Sequence, residues 1–287
     1  MTLLQIALSG LLVGGVYAIV AVGISLVFGV MRIVNFAHGD LMMWGMYLVA
    51  LLFGTIGLYP YLGGLVAGIL LGVVGWLLAR VLLNRFMSAD HSLQIVVTLA
   101  IALILQALAR LVFGGDRIAV TIEPFGTSSI AIGDLRLSSV RLAAFLVAAA
   151  TAVALSIYLK RTWSGRALRA VSEDPGAARA LGISPERMYA LALGLGTGVA
   201  GIGAAMLVTI YPVEPEIGTQ FMLISFVIVV LGGLGNVVGA LVAGLVVGVV
   251  EAVTGYLWGQ SYAQAVVFAL FLLVLVVRPK GLFRGAY

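Results

Sequence analysis

Charge is what this sequence has least of. Asp, Glu, Lys and Arg make up 9% of its 287 residues, hydrophobic residues 63%, and the mean hydropathy is +1.21. A soluble domain carries about 25% charged residues, so too few are present to cover a water-facing surface. Cysteine is absent, which removes disulfides, thiol catalysis and Cys-based metal sites and says nothing of compartment. Lysine occurs twice, and Lys160 and Lys280 are followed by Arg161 and Gly281. A phosphate-cradling P-loop needs Lys followed by Ser or Thr, so ATP is not bound that way. His38 and His91, the two histidines, belong to no HExxH pattern, which argues against zinc. No G-x-S-x-G nucleophile turn occurs either. The carboxylate pairs Glu173/Asp174 and Glu214/Glu216 stand in loops among bases or prolines. The expectation is a non-enzyme that binds no cofactor of its own. No basic residue precedes Arg32, so no secretory signal is predicted at the N-terminus.

What is present is a series of long apolar runs. A spanning helix needs roughly 20 apolar residues to cross about 30 Å of hydrocarbon. The sequence predicts crossings near 3–30, 36–54, 61–80, 92–112, 141–159, 188–210, 219–234, 236–255 and 261–277. Two breaks divide runs too long for one helix: "GTIGLYPYLGG" with Pro60, and "LGGLGN" at 231–236. The fold class is therefore all-α, a polytopic transmembrane bundle of eight or nine spanning helices in one domain over 1–287.

Basic residues in short loops stay cytoplasmic. Segment 160–187 holds Lys160, Arg161, Arg166, Arg169, Arg179 and Arg187, and the C-terminus holds Arg278, Lys280 and Arg284. With both inside, alternation also places Arg32, Arg80 and Arg85 inside. Arg110, Arg117, Arg136 and Arg141 then flank or occupy an external loop at 114–140, whose alternating pattern suggests a short β-hairpin or a cap. The N-terminus falls outside.

Sliding the chain on itself by 185 positions sets "ALSG" (7–10) on "ALGL" (192–195) and "NF" (35–36) on "QF" (220–221). Either these are inverted repeats or the likeness is chance among Ala/Gly/Val-rich helices. The glycines recur at small-xxx-small spacing: Gly10, Gly14 and Ala18; Gly64, Gly68 and Gly72; Gly194 and Gly198; Gly239, Ala243 and Gly248. Such residues let helix backbones approach closely in lipid.

Two polar stretches interrupt this pattern. "SGRALRAVSED" and "PGAARALG" within 160–187 read as two short helices, starting at Ser164 and Pro175 and stopping at Gly182. Their apolar positions (Ala167, Leu168, Val171; Ala177, Ala178, Leu181) suit docking into a soluble partner's groove; a solvated basic loop beside anionic headgroups is the plainer alternative. The other is "MRIVNFAHGD". As a helix junction, Arg32 snorkels to the headgroups, Asn35 caps the second helix, and Asp40 favours its N-terminus. As a functional element, Asn35, His38 and Asp40 belong to an inner gate or a broken helix lining the path. Helices near Met42, Met43, Phe221 and Met222 are further path candidates. An ion-coupled carrier acting alone would need a buried ionisable group in mid-helix, for which Glu251 is the one candidate.

"NFAHGD", the "SGRALRAVSEDPGAARALGI" loop, the "VLGGLGNVVGALVAG" turn and the terminal "RPKGLF" run in one order over nearly the whole chain. Together they resemble the LivH-type permease subunits of bacterial and archaeal ABC importers for branched-chain amino acids. The resemblance implies a multi-pass plasma (inner) membrane permease, paired with a second, LivM-type permease. It also implies two cytoplasmic ATPases that hydrolyse the ATP and an extracytoplasmic substrate-binding protein. The 160–187 segment would be the cytoplasmic coupling loop, and Arg166, Arg169, Glu173, Asp174, Ala177, Ala178 and Gly182 the contacts to the ATPase. "EDPG" stands where the general importer pattern reads Glu-Ala-Ala, a departure at the loop's acidic position. Related permeases serve urea or amides, so those substrates stay open as alternatives.

Overall fold

A computed structural model describes residues 2–87, 89–122, 128–132, 135–278 and 281–283. Of the predicted features, Pro279, Lys280 and Arg284 at the C-terminus, and 123–127 and 133–134 of the external loop, lie outside the described residues. Eleven α-helices are described: α1 (Thr2–Met31), α2 (His38–Ile56), α3 (Pro60–Val81), α4 (His91–Phe113), α5 (Ser139–Arg161), α6 (Trp163–Glu173), α7 (Pro175–Ala180), α8 (Pro185–Val208), α9 (Ile217–Gly232), α10 (Val237–Trp258) and α11 (Gln260–Val277). Eight are long and apolar enough to cross a membrane, and α9, with 16 residues, is a ninth, shorter apolar helix. The break at "LGGLGN" is as predicted: α9 ends at Gly232, and Asn236 caps α10 by accepting the Gly239 N–H at 2.8 Å. In the external loop, strands Ser129–Ile132 (β1) and Leu135–Ser138 (β2) pair antiparallel as the predicted hairpin.

The 30-residue α1 has almost no polar face and is buried along most of its length, as a helix apolar all round must be. It crosses α8 antiparallel, Ile19 lying on Gly203 and Gly23 on Gly196. Two further antiparallel seams flank this crossing, and both are made of the spaced small residues. Along α1 and α10, Gly10 meets Gly248 and Gly14 meets Gly244; a Cβ on Gly14 would lie 2.5 Å from the Gly244 carbonyl oxygen. Along α3 and α8, Gly72 meets Gly194, Gly68 meets Gly198, and Gly64 meets Ala205.

These seams are reciprocal. The first helix of one triplet (α1–α2–α3) packs on the third helix of the other (α8–α9–α10), and the reverse. The antiparallel α1/α8 crossing then makes the two triplets an inverted repeat. Gly10 and Gly14 take the places of Gly194 and Gly198, one residue from the register of the sequence slide. Outside this six-helix core, α4 and α11 turn most of their surface outward, with Leu111 82% and Val276 84% exposed. Apolar surface of that extent suits lipid or another membrane chain rather than water.

The two ends of the bundle sort as the charge pattern predicted. Arg32 bonds to Ser172, Asn84 to Glu186, and Leu282 to Leu231 at one end. Gln5 bonds to Arg136, Arg117 to Glu214, and Arg110 to Glu216 at the other.

Candidate functional site: a helix junction inside the bundle and its link to the basic loop

After α1 ends at Met31, residues 32–37 turn back into the bundle. Arg32 carries the one positive φ (55°) among described non-glycine residues. The backbone of α2 therefore begins deep. The His38 ring packs against Gly23, eight residues before the end of α1 and so about 12 Å inward at 1.5 Å per residue. Asn35 does not cap α2 as expected. Its Oδ1 accepts the Ala37 N–H at 3.2 Å, its carbonyl accepts the His38 N–H at 3.2 Å, and the N-cap residue is Ala37. The tight turn shapes the entry to the helix instead of ending it.

The start of α9 lies against the start of α2. A Cβ on Gly39 would strike the Gly218 backbone and the Met222 side chain, and one on Gly218 would strike Asp40. Two helix N-termini, each with partial positive charge and unpaired N–H groups, thus converge on one carboxylate. Asp40 is 1% exposed, and its Oδ1 accepts from Gln106 Nε2 at 3.0 Å. The same Gln106 amide donates to Thr219 Oγ1 at 2.7 Å, joining α4 to both N-termini. Arg110, one turn further along α4, pairs with Glu216 at the α9 N-cap. On the other side Phe221 sits between Tyr17 and Tyr211, ring centroids 5.8 and 5.4 Å away, and those two hydroxyls bond at 2.7 Å.

All seven residues singled out as gate or path candidates are buried, and His38, Asp40, Phe221 and Met222, from two distant stretches, converge on this junction. His38 does not pair with Asp40. Both its ring nitrogens are buried away from Asp40, as is Asn35 Nδ2. Gln106, Thr219 and the Arg110–Glu216 pair escaped sequence reasoning. An uncharged amide or hydroxyl inside an apolar helix gives no compositional signal, and the partners of Gln106 lie 66 and 113 residues away.

The basic loop forms the two predicted helices, α6 and α7, with one shift. Thr162, not Ser164, opens α6, its Oγ1 accepting the Gly165 N–H at 3.0 Å. Gly165 sits where any side chain would strike the Leu159 backbone, so α6 folds sharply back on α5. Asp174 caps α7, its Oδ1 accepting the Gly176 and Ala177 N–H groups at 2.8 and 3.0 Å. Gly182 ends the element with φ +82°.

The expectation of an outward apolar face is corrected for α6. Ala167, Leu168 and Val171 are buried against this chain's own helices, and Ala178 of α7 is buried too. Among the proposed contacts, Arg166, Glu173, Asp174, Ala177 and Gly182 are exposed, while half-buried Arg169 donates to the Leu159 carbonyl at 2.9 Å. The outward apolar groups are Trp163, 62% exposed, and Leu181, 79% exposed.

Arg32 ties loop to junction. Its guanidinium donates to the Ser172 carbonyl at 3.0 Å, near the C-terminus of α6. The outward helix pair is thereby bonded to the six-residue segment that leads to His38 and Asp40.

A multi-pass bundle built as an inverted repeat, with a polar junction at membrane depth and a braced outward helix pair at one end, is the architecture of a membrane transport subunit. The comparisons agree. The chain belongs to the family described as the permease component of branched-chain amino acid transport systems, whose model matches residues 6–275. It is 31% identical to the high-affinity branched-chain amino acid transport system permease protein BraD of Pseudomonas aeruginosa, over 97% of this chain and 95% of that one. The corresponding LivH protein of Escherichia coli K12 is 28% identical over 97% and 94%. A probable LivH permease of Methanocaldococcus jannaschii is 24% identical over 92% and 87%. No solved structure matches.

Proposed function

We propose that this chain is one of two membrane subunits of an ATP-binding cassette importer that moves branched-chain amino acids inward across the inner membrane. The family match over residues 6–275 carries this reading, together with the transport systems named for its relatives. The second permease completes the path, two cytoplasmic ATPases supply the energy, and an extracytoplasmic binding protein delivers the solute. The chain itself holds no nucleotide.

The polar groups at membrane depth support a path over the face shared by α2, α4, α9 and α11. Half-buried Gln106 and exposed Thr219 and Gln220 are costly against lipid but tolerated where they line a cavity or another protein chain. On the opposite end, α6 and α7 offer the ATPase an outward knob: Leu181 and Trp163 for its groove, with Arg166, Glu173 and Asp174 at the rim.

ATP-driven closure of the motor shifts α6. The Arg32–Ser172 bond passes that shift to the segment before α2, and the Gly39–Gly218 junction opens or closes. Co-expression with a second permease, the two ATPases and the binding protein, followed by reconstitution, tests the assignment. ATP-dependent leucine uptake that requires the binding protein, and that urea or acetamide does not compete, is expected; uptake of urea with leucine ignored would overturn the substrate class.

A further inference from the structure

A second feature adjoins the junction. Between α9, α10 and α11 is a cavity of about 120 Å³, large beside the roughly 10–15 Å³ that one water needs. Its wall divides by chemistry. Leu223, Ile224 and Phe268 supply apolar surface, whereas Gln220, Glu251 and Gln264 supply one carboxylate and two amides. Glu251 sits inside an apolar helix, where an ionisable group is expensive and marks function by default. Among the described residues no ion pair includes it, and its side-chain hydrogen-bond partner is the Tyr17 hydroxyl. It also borders a neighbouring cavity with Arg141, Tyr17 and Tyr211, and no salt bridge closes between Glu251 and Arg141.

We infer that this cavity is a binding station for an aliphatic α-amino acid zwitterion: Glu251 takes the ammonium, the Gln220 and Gln264 amides donate to the carboxylate, and Leu223, Ile224 and Phe268 hold the branched side chain. The inference rests on the importer reading above and adds to it a place for the solute within this subunit. The site asks for three features at once. A carboxylate alone would take any cation, and the apolar wall alone any hydrocarbon; amides flanking a carboxylate select a solute carrying both charges. Urea and acetamide lack the aliphatic part and the ammonium, so the same walls discriminate against them.

Equilibrium binding of radiolabelled L-leucine to the assembled permease–ATPase complex in nanodiscs, without the binding protein, tests it. Saturable binding is expected, displaced strongly by 3-methylbutylamine, which keeps the ammonium, and weakly by 4-methylpentanoate, which lacks it. Glu251→Gln is expected to weaken binding at least tenfold, and Leu223→Trp, which fills the apolar end, to abolish it. Should Glu251→Gln fail to assemble, the analogue pattern on the unmodified complex and Leu223→Trp decide. No saturable binding up to millimolar leucine, equal displacement by the acid and the amine, or unchanged affinity in either variant would overturn the station. Uptake measured on the same complex with the binding protein added separates the two readings. Leucine uptake without leucine binding sinks the station and leaves the importer, whereas absence of leucine uptake sinks the importer reading.

Discussion

Asp40 and Gly218 pack closely against each other and set what the junction tolerates. Gly218 has no room for a methyl group: its Cβ would lie 2.9 Å from the Asp40 Cα. Overpacking of a tight site costs about 1–3 kcal/mol, so Gly218→Ala is expected to lower the melting temperature of the purified complex and to cut uptake. Gly54, on the same helix as Asp40, has nothing within 4 Å of its Cβ position. Gly54→Ala should therefore be neutral, or slightly stabilising through helix propensity. Asp40→Asn keeps the oxygen that accepts from Gln106 but removes the charge between two helix N-termini. A favourably placed carboxylate at such a site is worth up to about 2 kcal/mol, and the variant should melt earlier while still assembling. Melting temperatures unchanged in both Gly218→Ala and Asp40→Asn would mean that the junction is looser than its geometry.

The elements were legible in the sequence to different degrees. The long apolar runs, the Pro60 and "LGGLGN" breaks and the spaced glycines placed nine apolar helices within a few residues of their observed ends, because hydropathy and small-residue spacing are local signals. Which glycine seam met which was not legible: that Gly10 and Gly14 lie on Gly248 and Gly244 depends on the inverted arrangement of the whole bundle. The outward apolar face assigned to α6 was wrong for a related reason. Helical spacing shows that Ala167, Leu168 and Val171 share a face, not whether that face meets this chain or another. At this scale two changes separate anchoring from docking. Asp174→Ala removes the α7 cap at a cost of about 1 kcal/mol and should reduce co-purification of the ATPase several-fold. Arg32→Ala breaks a charge-assisted bond worth up to about 1.5–3 kcal/mol. It should leave the ATPase bound and hydrolysing while uptake per ATP falls. Equal loss of both activities would assign Arg32 to assembly instead of transmission.

For the molecule as a whole, the scarcity of charge that excludes a soluble fold goes with eight helices long and apolar enough to cross a membrane. The twelve basic residues predicted to face the cytoplasm, from Arg32 to Arg284, group at one end with the braced α6–α7 pair, apart from Lys280 and Arg284, which lie outside the described residues. The dipole-flanked junction and Glu251 belong to the interior. In the importer we propose, the work comes from a protein gripping that end, and the movement reaches α2 and α9 through the glycine seams. Proteoliposomes holding both permeases, with and without the ATPases, and with binding protein and leucine outside and ATP within, measure this directly. Leucine should accumulate above its external concentration only when the ATPases are present and ATP is hydrolysed; accumulation without them, driven by an ion gradient or by nothing added, would contradict the account.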